Sequence, residues 1–200
     1  MTTALTQALT KMTKVEVVVP GTDAAAVRDL IGDLGIEAAY RVQEINTERR
    51  LGEGRRLVGR KTGLTAKAVQ TQLGVDQPDY GMLFDDMDMP LGSEISAAAV
   101  MQPKVEAEIA FILGDDLNDE RLTAADITAS VDYALAAIEI VGTRIKEWDI
   151  RIHDTIADNA SSGVFVLGDA PRRLSEIDLR LCGMVMERRG EPISVGAGVA

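Results

Sequence analysis

Alternation of apolar and polar residues predicts a long strand near the middle of the chain. The stretch KVEAEIAFIL, residues 104–113, has a period of two, the spacing at which side chains leave the same face of a strand. Glu106 and Glu108 therefore share one face. Two carboxylates side by side on an otherwise apolar strand repel one another and resist burial. The pattern raises the question of what offsets that repulsion.

Helical periodicity dominates the first part of the chain. TDAAAVRDLIGDLG (22–35) is predicted to form a helix that is capped by Thr22 or Asp23 and ends at Gly35. IEAAYRVQEINTERRLGEG (36–54) is predicted to form a second helix closed by glycines. The earlier VEVVVP segment is more typical of a strand.

The pattern changes after residue 55. RLVGRKTG (56–63) is predicted to be a short strand, and LTAKAVQTQLG (64–74) a helix capped by Thr65. VDQPDYGMLFDDM (75–87) is predicted to be a loop because a proline and a glycine interrupt it.

The last third alternates between short helices and apolar strands. A helix is predicted from Thr123, followed by the apolar strand YALAAIEIV (133–141) and a helix or loop at DTIADNASSG (154–163). VFVLG (164–168) is predicted to be another strand, and residues 181–198 a hairpin. Helices followed by strands favour an α+β fold on an antiparallel or mixed sheet. Because the chain stops just after a strand, we expect it to be shorter than a complete domain.

Charge narrows the classes of function. The 200 residues include 32 acidic and 21 basic ones, a formal charge of −11, which disfavours binding to nucleic acid or to an anionic membrane. An anionic small substrate would need a local cation. The single cysteine, the absence of a signal-like start and the absence of an apolar run near the ~20 residues of a membrane span predict a cytoplasmic protein.

Three glutamates are candidate metal ligands. Glu106 and Glu108 leave one strand face together, and Glu139 is the only charged residue in YALAAIEIV, where an unpaired carboxylate would be costly. Mg²⁺ and Mn²⁺ take oxygen ligands of this kind. The competing interpretation is that the pair lies on the solvent face of a half-exposed strand.

Two further residues are candidates for proton chemistry. Lys61 lies between glycines in GRKTG and could hold a carboxylate or transfer a proton. Asp79 in QPDYG could act as a general base. Each has a structural alternative, as a surface lysine and as a turn residue. His153 is the only histidine, so a zinc site built from histidines is excluded.

Three long stretches resemble one enzyme family. GRKTGLTAKAVQTQLGVDQPDYG (59–81), QPKVEAEIAFIL (102–113) and IEIVGTRIKEWDIRIHDTIADNASSG (138–163) are similar to the 2-hydroxypenta-2,4-dienoate hydratases of the fumarylacetoacetate hydrolase superfamily. The likeness runs from about Tyr40 to the last residue. These enzymes act in the meta-cleavage breakdown of aromatic compounds and steroids.

The resemblance implies a fold and a site. The fold would be a mixed β-roll core over residues 55–200, of the fumarylacetoacetate hydrolase C-terminal-domain type, preceded by a mainly helical segment over residues 1–54. The site would hold Mg²⁺ or Mn²⁺ on Glu106, Glu108 and Glu139, with Lys61 and Asp79 at the substrate. The implied reaction adds water to a 2-hydroxy-2,4-dienoate, giving a 4-hydroxy-2-oxoacid. A homo-oligomer, and a decarboxylase or aldolase of the same pathway as partner, are also implied.

The chain departs from the family pattern at two positions and leaves three rival assignments. Thr62 replaces an apolar residue, Gly142 stands where the family more often has aspartate, and the family continues beyond Ala200. The nearest rival is a 2-oxo-3-enedioate (4-oxalocrotonate) decarboxylase with the same metal site. The acylpyruvate hydrolases are disfavoured because no histidine precedes His153. A non-catalytic partner subunit is the third rival.

Overall fold

Helices and strands alternate along the described chain. A computed structural model describes residues 24–198. Its α-helices are α1 (Arg28–Ile31), α2 (Gly35–Gly52), α3 (Lys67–Leu73), α4 (Ala124–Ser130) and α5 (Ile152–Ala157). Its strands are β1 (Leu57–Gly63), β2 (Asp79–Phe84), β3 (Lys104–Leu113), β4 (Val131–Val141), β5 (Val164–Leu167), β6 (Gly183–Arg188) and β7 (Glu191–Ala197). They form an antiparallel β1–β2 pair, a sheet in the order β3–β4–β5 and an antiparallel β6–β7 pair. The predicted α+β class is confirmed.

The chain divides into two compact units that interleave along the sequence. Within residues 24–198, the first unit comprises residues 24–89, 94–105 and 140–164, and the second comprises residues 90–93, 106–139 and 165–198. Of the described elements, the first unit contains α1, α2, α3 and α5, together with the β1–β2 pair. The second contains α4, the β6–β7 pair and most residues of β3, β4 and β5.

The core of the first unit lies between its helices. Small residues of α2 allow close packing against α5, and the buried cluster comprises Val27, Ile31, Ala38, Ala39, Ile145, Ile156 and Ala157. A glutamine completes this contact. The Gln43 side chain is 2% exposed, and its Nε2 donates hydrogen bonds to the carbonyls of Tyr80 (2.8 Å) and Ile156 (3.0 Å). Gln43 therefore joins α2 to β2 and α5.

The single helix predicted over residues 22–35 is wrong for most of its described part, residues 24–35, whereas its proposed caps, Thr22 and Asp23, lie outside the described residues. Ala24 is extended and forms a parallel bridge with Ile145, while α1 spans only four residues. Gly35, the predicted end of a helix, instead begins α2. Its φ of +75° and the φ of +55° at Gly32 break the helical path, since glycine adopts positive φ without steric cost. The predicted second helix is confirmed as α2. The VEVVVP segment lies outside the described residues.

The loop predicted over residues 75–87 is also wrong, because β2 occupies most of it. Its register with β1 places Lys61 opposite Gly81. A Cβ atom on Gly81 would lie 2.4 Å from the carbonyl oxygen of Asn159. Gly81 therefore permits close approach within a strand and does not mark a turn. The Thr65 cap is wrong as well, since Ala66 is the N-cap of α3 and no side chain caps it.

Two local predictions in the second unit are confirmed. Thr123 caps α4, accepting a hydrogen bond from the backbone N–H of Asp126, whose carboxylate accepts in return from the backbone N–H of Thr123. β6 and β7 form the predicted hairpin. It turns at Arg189 and Gly190, whose φ angles of 58° and 82° suit a tight hairpin turn. Among residues 24–198, no helix has the length and apolarity needed to cross a membrane.

Candidate active site

Three glutamates converge in the second unit. Glu106 and Glu108 leave the same face of β3, and Glu139 belongs to the neighbouring strand β4. One carboxylate oxygen from each residue lies within 4.8 Å of the other two. Glu139 is 6% exposed, whereas the other two glutamates are exposed. The structure therefore brings together the three residues proposed as ligands.

The chemistry of this cluster fits a divalent cation. Three carboxylates at such distances repel one another, and the repulsion is strongest at the buried Glu139, where solvent screens least. A hard cation such as Mg²⁺ or Ca²⁺ binds carboxylate oxygens and offsets that repulsion. Glu106, Glu108 and Glu139 are the residues that would hold it. Of the described chain, this is the one group of three acidic, histidine or cysteine residues with suitable spacing.

The β1–β2 pair carries the other two candidates, in the first unit. Lys61 is half-buried on β1, and its Nζ donates a hydrogen bond of 2.9 Å to the carbonyl of Ala160. Asp79 begins β2 opposite Gly63. A Cβ atom on Gly63 would lie 2.4 Å from Oδ1 of Asp79, so the glycine leaves the space that this carboxyl group occupies.

Burial sets the electrostatics of Asp79. The residue is 2% exposed, and neither carboxyl oxygen accepts a hydrogen bond of normal geometry from the described residues. Burial raises the pKa of Asp79, because the charged form loses solvation. The charge of Lys61 and the nearby backbone N–H groups of Asp79 and Gly63 oppose the rise without cancelling it. Asp79 therefore keeps its proton to a higher pH than an exposed aspartate and is suited to proton transfer.

A left-handed turn holds the carbonyl that Lys61 contacts. Asn159, Ala160 and Ser161 have φ angles of 56°, 53° and 55°. The side-chain amide of Asn159 accepts from the N–H of Met82 (2.7 Å) and donates to its carbonyl (2.9 Å), as a neighbouring strand would. The sequence predicted only a helix or loop for the stretch DTIADNASSG, residues 154–163. The pairing between Asn159 and β2 has no signal in the sequence, because β2 itself was predicted to be a loop.

The glycine at position 142 reflects close packing. A Cβ atom there would lie 2.2 Å from Cγ1 of Val100 and 2.5 Å from the carbonyl oxygen of Met101. An aspartate side chain at this position would have no room with this backbone conformation.

Comparison with known proteins identifies the family. No family model matches the chain. A protein named TodF product hydratase from Pseudomonas putida is 62% identical over 180 residues, which cover 90% of this chain and 67% of that protein. The 2-keto-4-pentenoate hydratase of Paraburkholderia xenovorans is 53% identical, with the same coverage. The chain belongs to the 2-keto-4-pentenoate hydratase family. These enzymes are also called 2-hydroxypenta-2,4-dienoate hydratases. The predicted family membership is therefore confirmed.

A solved structure shares the fold of this hydratase family member. The 4-oxalocrotonate decarboxylase of Pseudomonas putida, complexed with magnesium and adipate, aligns with a TM-score of 0.87. It is 33% identical, and the match covers 98% of this chain and 73% of the decarboxylase. A second structure of that enzyme contains calcium and acetate. Identity is therefore much higher to hydratases than to the decarboxylase.

Proposed function

We propose that this chain is a metal-dependent hydro-lyase that adds water to a 2-hydroxy-2,4-dienoate and forms a 4-hydroxy-2-oxoacid. One observation carries the proposal: Glu106, Glu108 and Glu139 converge in a chain 62% identical to a named hydratase. The reaction belongs to the meta-cleavage catabolism of aromatic compounds. The decarboxylase alternative has less support, because its relative is only 33% identical.

The three glutamates are proposed to bind Mg²⁺ or Mn²⁺. Their oxygen donors suit both ions, and the related decarboxylase has been crystallised with magnesium and with calcium. When bound, a divalent cation supplies Lewis acidity that favours negative charge on the carboxylate and 2-oxygen of the substrate. The buried Glu139 and the exposed pair on β3 would fix its position.

Asp79 and Lys61 are proposed to serve the proton transfers and the positioning of substrate and water. The dienol loses its hydroxyl proton while C5 gains one, which gives a 2-oxo-3-enoate. Water then adds its oxygen at C4 and a proton at C3. Asp79 is the proposed proton carrier, since burial raises its pKa towards the working range of an acid–base group. Lys61, anchored at the Ala160 carbonyl, would orient substrate or water.

Turnover is the first test. The protein is supplied with freshly prepared 2-hydroxypenta-2,4-dienoate and Mg²⁺ or Mn²⁺, and both the dienoate absorbance and the product are followed. The expected product is 4-hydroxy-2-oxopentanoate. Release of CO₂ from a 2-oxo-3-enedioate would support the decarboxylase alternative. No turnover of either compound by folded, metal-loaded protein would reject both enzymatic assignments and favour the partner-subunit alternative.

Metal binding tests the ligands separately. Glu106→Gln removes one charged donor, and we expect Mg²⁺ affinity measured by calorimetry to fall by about tenfold or more. Glu187→Gln is the matched control, because Glu187 is an exposed strand glutamate of the same unit outside the cluster. It should leave the affinity unchanged. Equal affinities in Glu106→Gln and in the unchanged protein would remove Glu106 from the ligand set.

Several expectations remain proposals. They are the β-roll arrangement of residues 55–200, the boundary with the helical segment 1–54, the homo-oligomer, the cytoplasmic location, and a partner decarboxylase or aldolase. Light scattering on the purified protein addresses the oligomer directly.

A further inference from the structure

The turn at Asn159–Ser161 is strained and firmly held. Three consecutive residues, none of them glycine, have backbone angles in the left-handed region. This conformation is energetically unfavourable for residues with a Cβ atom, because the Cβ crowds the following carbonyl oxygen. Strain of this kind persists only where the surrounding structure enforces it, and it concentrates at functional sites. Contacts from outside the turn must therefore stabilise this conformation.

Contacts on both sides hold the turn. Asn159 pairs with the backbone of Met82 in β2. The carboxylate of Asp158 accepts hydrogen bonds from Thr143 Oγ1 (2.9 Å), the backbone N–H of Arg144 (3.0 Å) and the Arg144 guanidinium. The guanidinium also donates to the carbonyl of Asp158 (2.8 Å). These bonds tie the turn to β2 and to the segment that follows β4.

Two buried serines lie in and just after the turn, and only one of their hydroxyl groups has a hydrogen-bond partner among the described residues. Ser162 is 4% exposed, and its hydroxyl donates a hydrogen bond to the carbonyl of Asn159 (2.7 Å). Ser161 is 5% exposed, yet its Oγ has no hydrogen-bond partner among the described residues. A buried hydroxyl without a partner is costly and uncommon in folded proteins. The residue immediately before it, Ala160, accepts the hydrogen bond of Lys61 Nζ.

We propose that the Ser161 hydroxyl binds the carboxylate of the 2-oxo acid or dienoate substrate as a hydrogen-bond donor. The inference rests on the function proposed above, because it names a substrate-binding group for that reaction. A carboxylate is the partner that this position favours. The chain carries a formal charge of −11, so an anion requires local donors, and the Lys61 ammonium is held at the adjacent residue. A bound carboxylate would satisfy the hydroxyl that the fold leaves without a partner.

The experiment compares the two serines in the full chain. Binding of 2-oxopentanoate, which lacks the reactive double bonds, is measured by calorimetry with Mg²⁺ present. Ser161→Ala should weaken binding about tenfold or more, since it removes a hydrogen bond to a charged group, and should not lower the melting temperature. Ser162→Ala should lower the melting temperature, because its hydrogen bond is structural, and change affinity by less than about threefold.

Other outcomes overturn the inference. Unchanged affinity in Ser161→Ala, equal loss in both variants, or no binding of 2-oxopentanoate to the unchanged protein would each do so. If Ser161→Ala does not fold, Ser161→Gly removes the same hydroxyl and relieves the positive φ, with the same expected loss of affinity. Dienoate turnover is measured in parallel. Weaker binding by Ser161→Ala, with no turnover by the unchanged protein, would keep the inference and reject the reaction.

Discussion

Replacing Asp79 by asparagine is expected to stabilise the fold while removing activity. The change keeps the size of the side chain and removes a carboxyl group that is 2% exposed and lacks hydrogen bonds of normal geometry from the described residues. Activity should fall because an amide cannot carry the proton that the reaction transfers. Stability should rise because the amide carries no charge to be desolvated.

The magnitude follows from that burial. Leaving a buried polar group unsatisfied costs about 1–3 kcal/mol, and more when the group is charged. The attraction of Lys61, which is lost in the variant, offsets part of this gain. We therefore expect a net stabilisation of about 1–2 kcal/mol near neutral pH, or roughly 3–6 °C for a chain of this length.

The pH dependence gives the sharper assay. Because burial raises the pKa of Asp79, the folded state binds more protons than the unfolded state between the ordinary and the raised pKa. Stability of the unchanged protein should fall as pH rises through that window, and Asp79→Asn should lose this contribution. Urea unfolding from about pH 4 to about pH 8 measures it.

A second aspartate provides the control. Asp85 follows the end of β2, and hydrogen bonds from the backbone N–H and guanidinium of Arg56 lower its pKa. The stability that Asp85 contributes is present above the ordinary pKa of an aspartate and is lost as pH falls through the lowered pKa. This pH dependence has the opposite sign to that of Asp79. Asp85→Asn should therefore lose stability near neutral pH. An Asp79→Asn variant that is less stable than the unchanged protein at neutral pH would refute the reasoning.

The remaining predictions concern packing. Gly81→Ala should lower the free energy of unfolding, measured in urea, by about 1–3 kcal/mol, because its Cβ would meet the Asn159 carbonyl. The control is Gly59→Ala in the facing strand, which has ordinary contacts and should cost less than about 1 kcal/mol. Gln43→Leu leaves the buried carbonyl of Ile156 and the partly buried carbonyl of Tyr80 without this donor, and it should cost about 1–3 kcal/mol. Unchanged unfolding would contradict the role of Gln43. Gly142→Asp should lower the melting temperature, because its Cβ would meet both the Val100 side chain and the Met101 carbonyl oxygen. An undiminished melting temperature would show that the backbone moves.

The glutamate cluster could be predicted because its cause is local. A period of two places Glu106 and Glu108 on one face whatever surrounds the strand, and an isolated charge in an apolar strand marks Glu139. Their meeting depends only on β3 and β4 being neighbours, which strands close in sequence often are. Periodicity and apolar context together were therefore enough to name all three residues.

The candidate residues of the first unit depend on contacts between residues distant in sequence. Gly81 looks like a turn residue until the Asn159 carbonyl is placed beside it, 78 positions further along the chain. Gly63 likewise looks like a break until the Asp79 carboxyl group is found in the space that a Cβ would fill. In both cases a glycine serves close approach between segments, which single-sequence rules interpret as a turn. The error over residues 75–87 and the missed role of Asn159 share this cause.

The hydrogen bonding of Ser161 could not be predicted from the sequence pattern, because it depends on the geometry of the turn. DNASSG contains two adjacent serines that no sequence rule separates, and the structure leaves both almost fully buried. One hydroxyl completes the turn by bonding to the Asn159 carbonyl, and the other has no partner among the described residues. The difference arises from backbone angles that three successive residues adopt under contacts from β2 and Arg144. The two adjacent serines thus differ in hydrogen bonding, and this difference is what the Ser161→Ala and Ser162→Ala variants test.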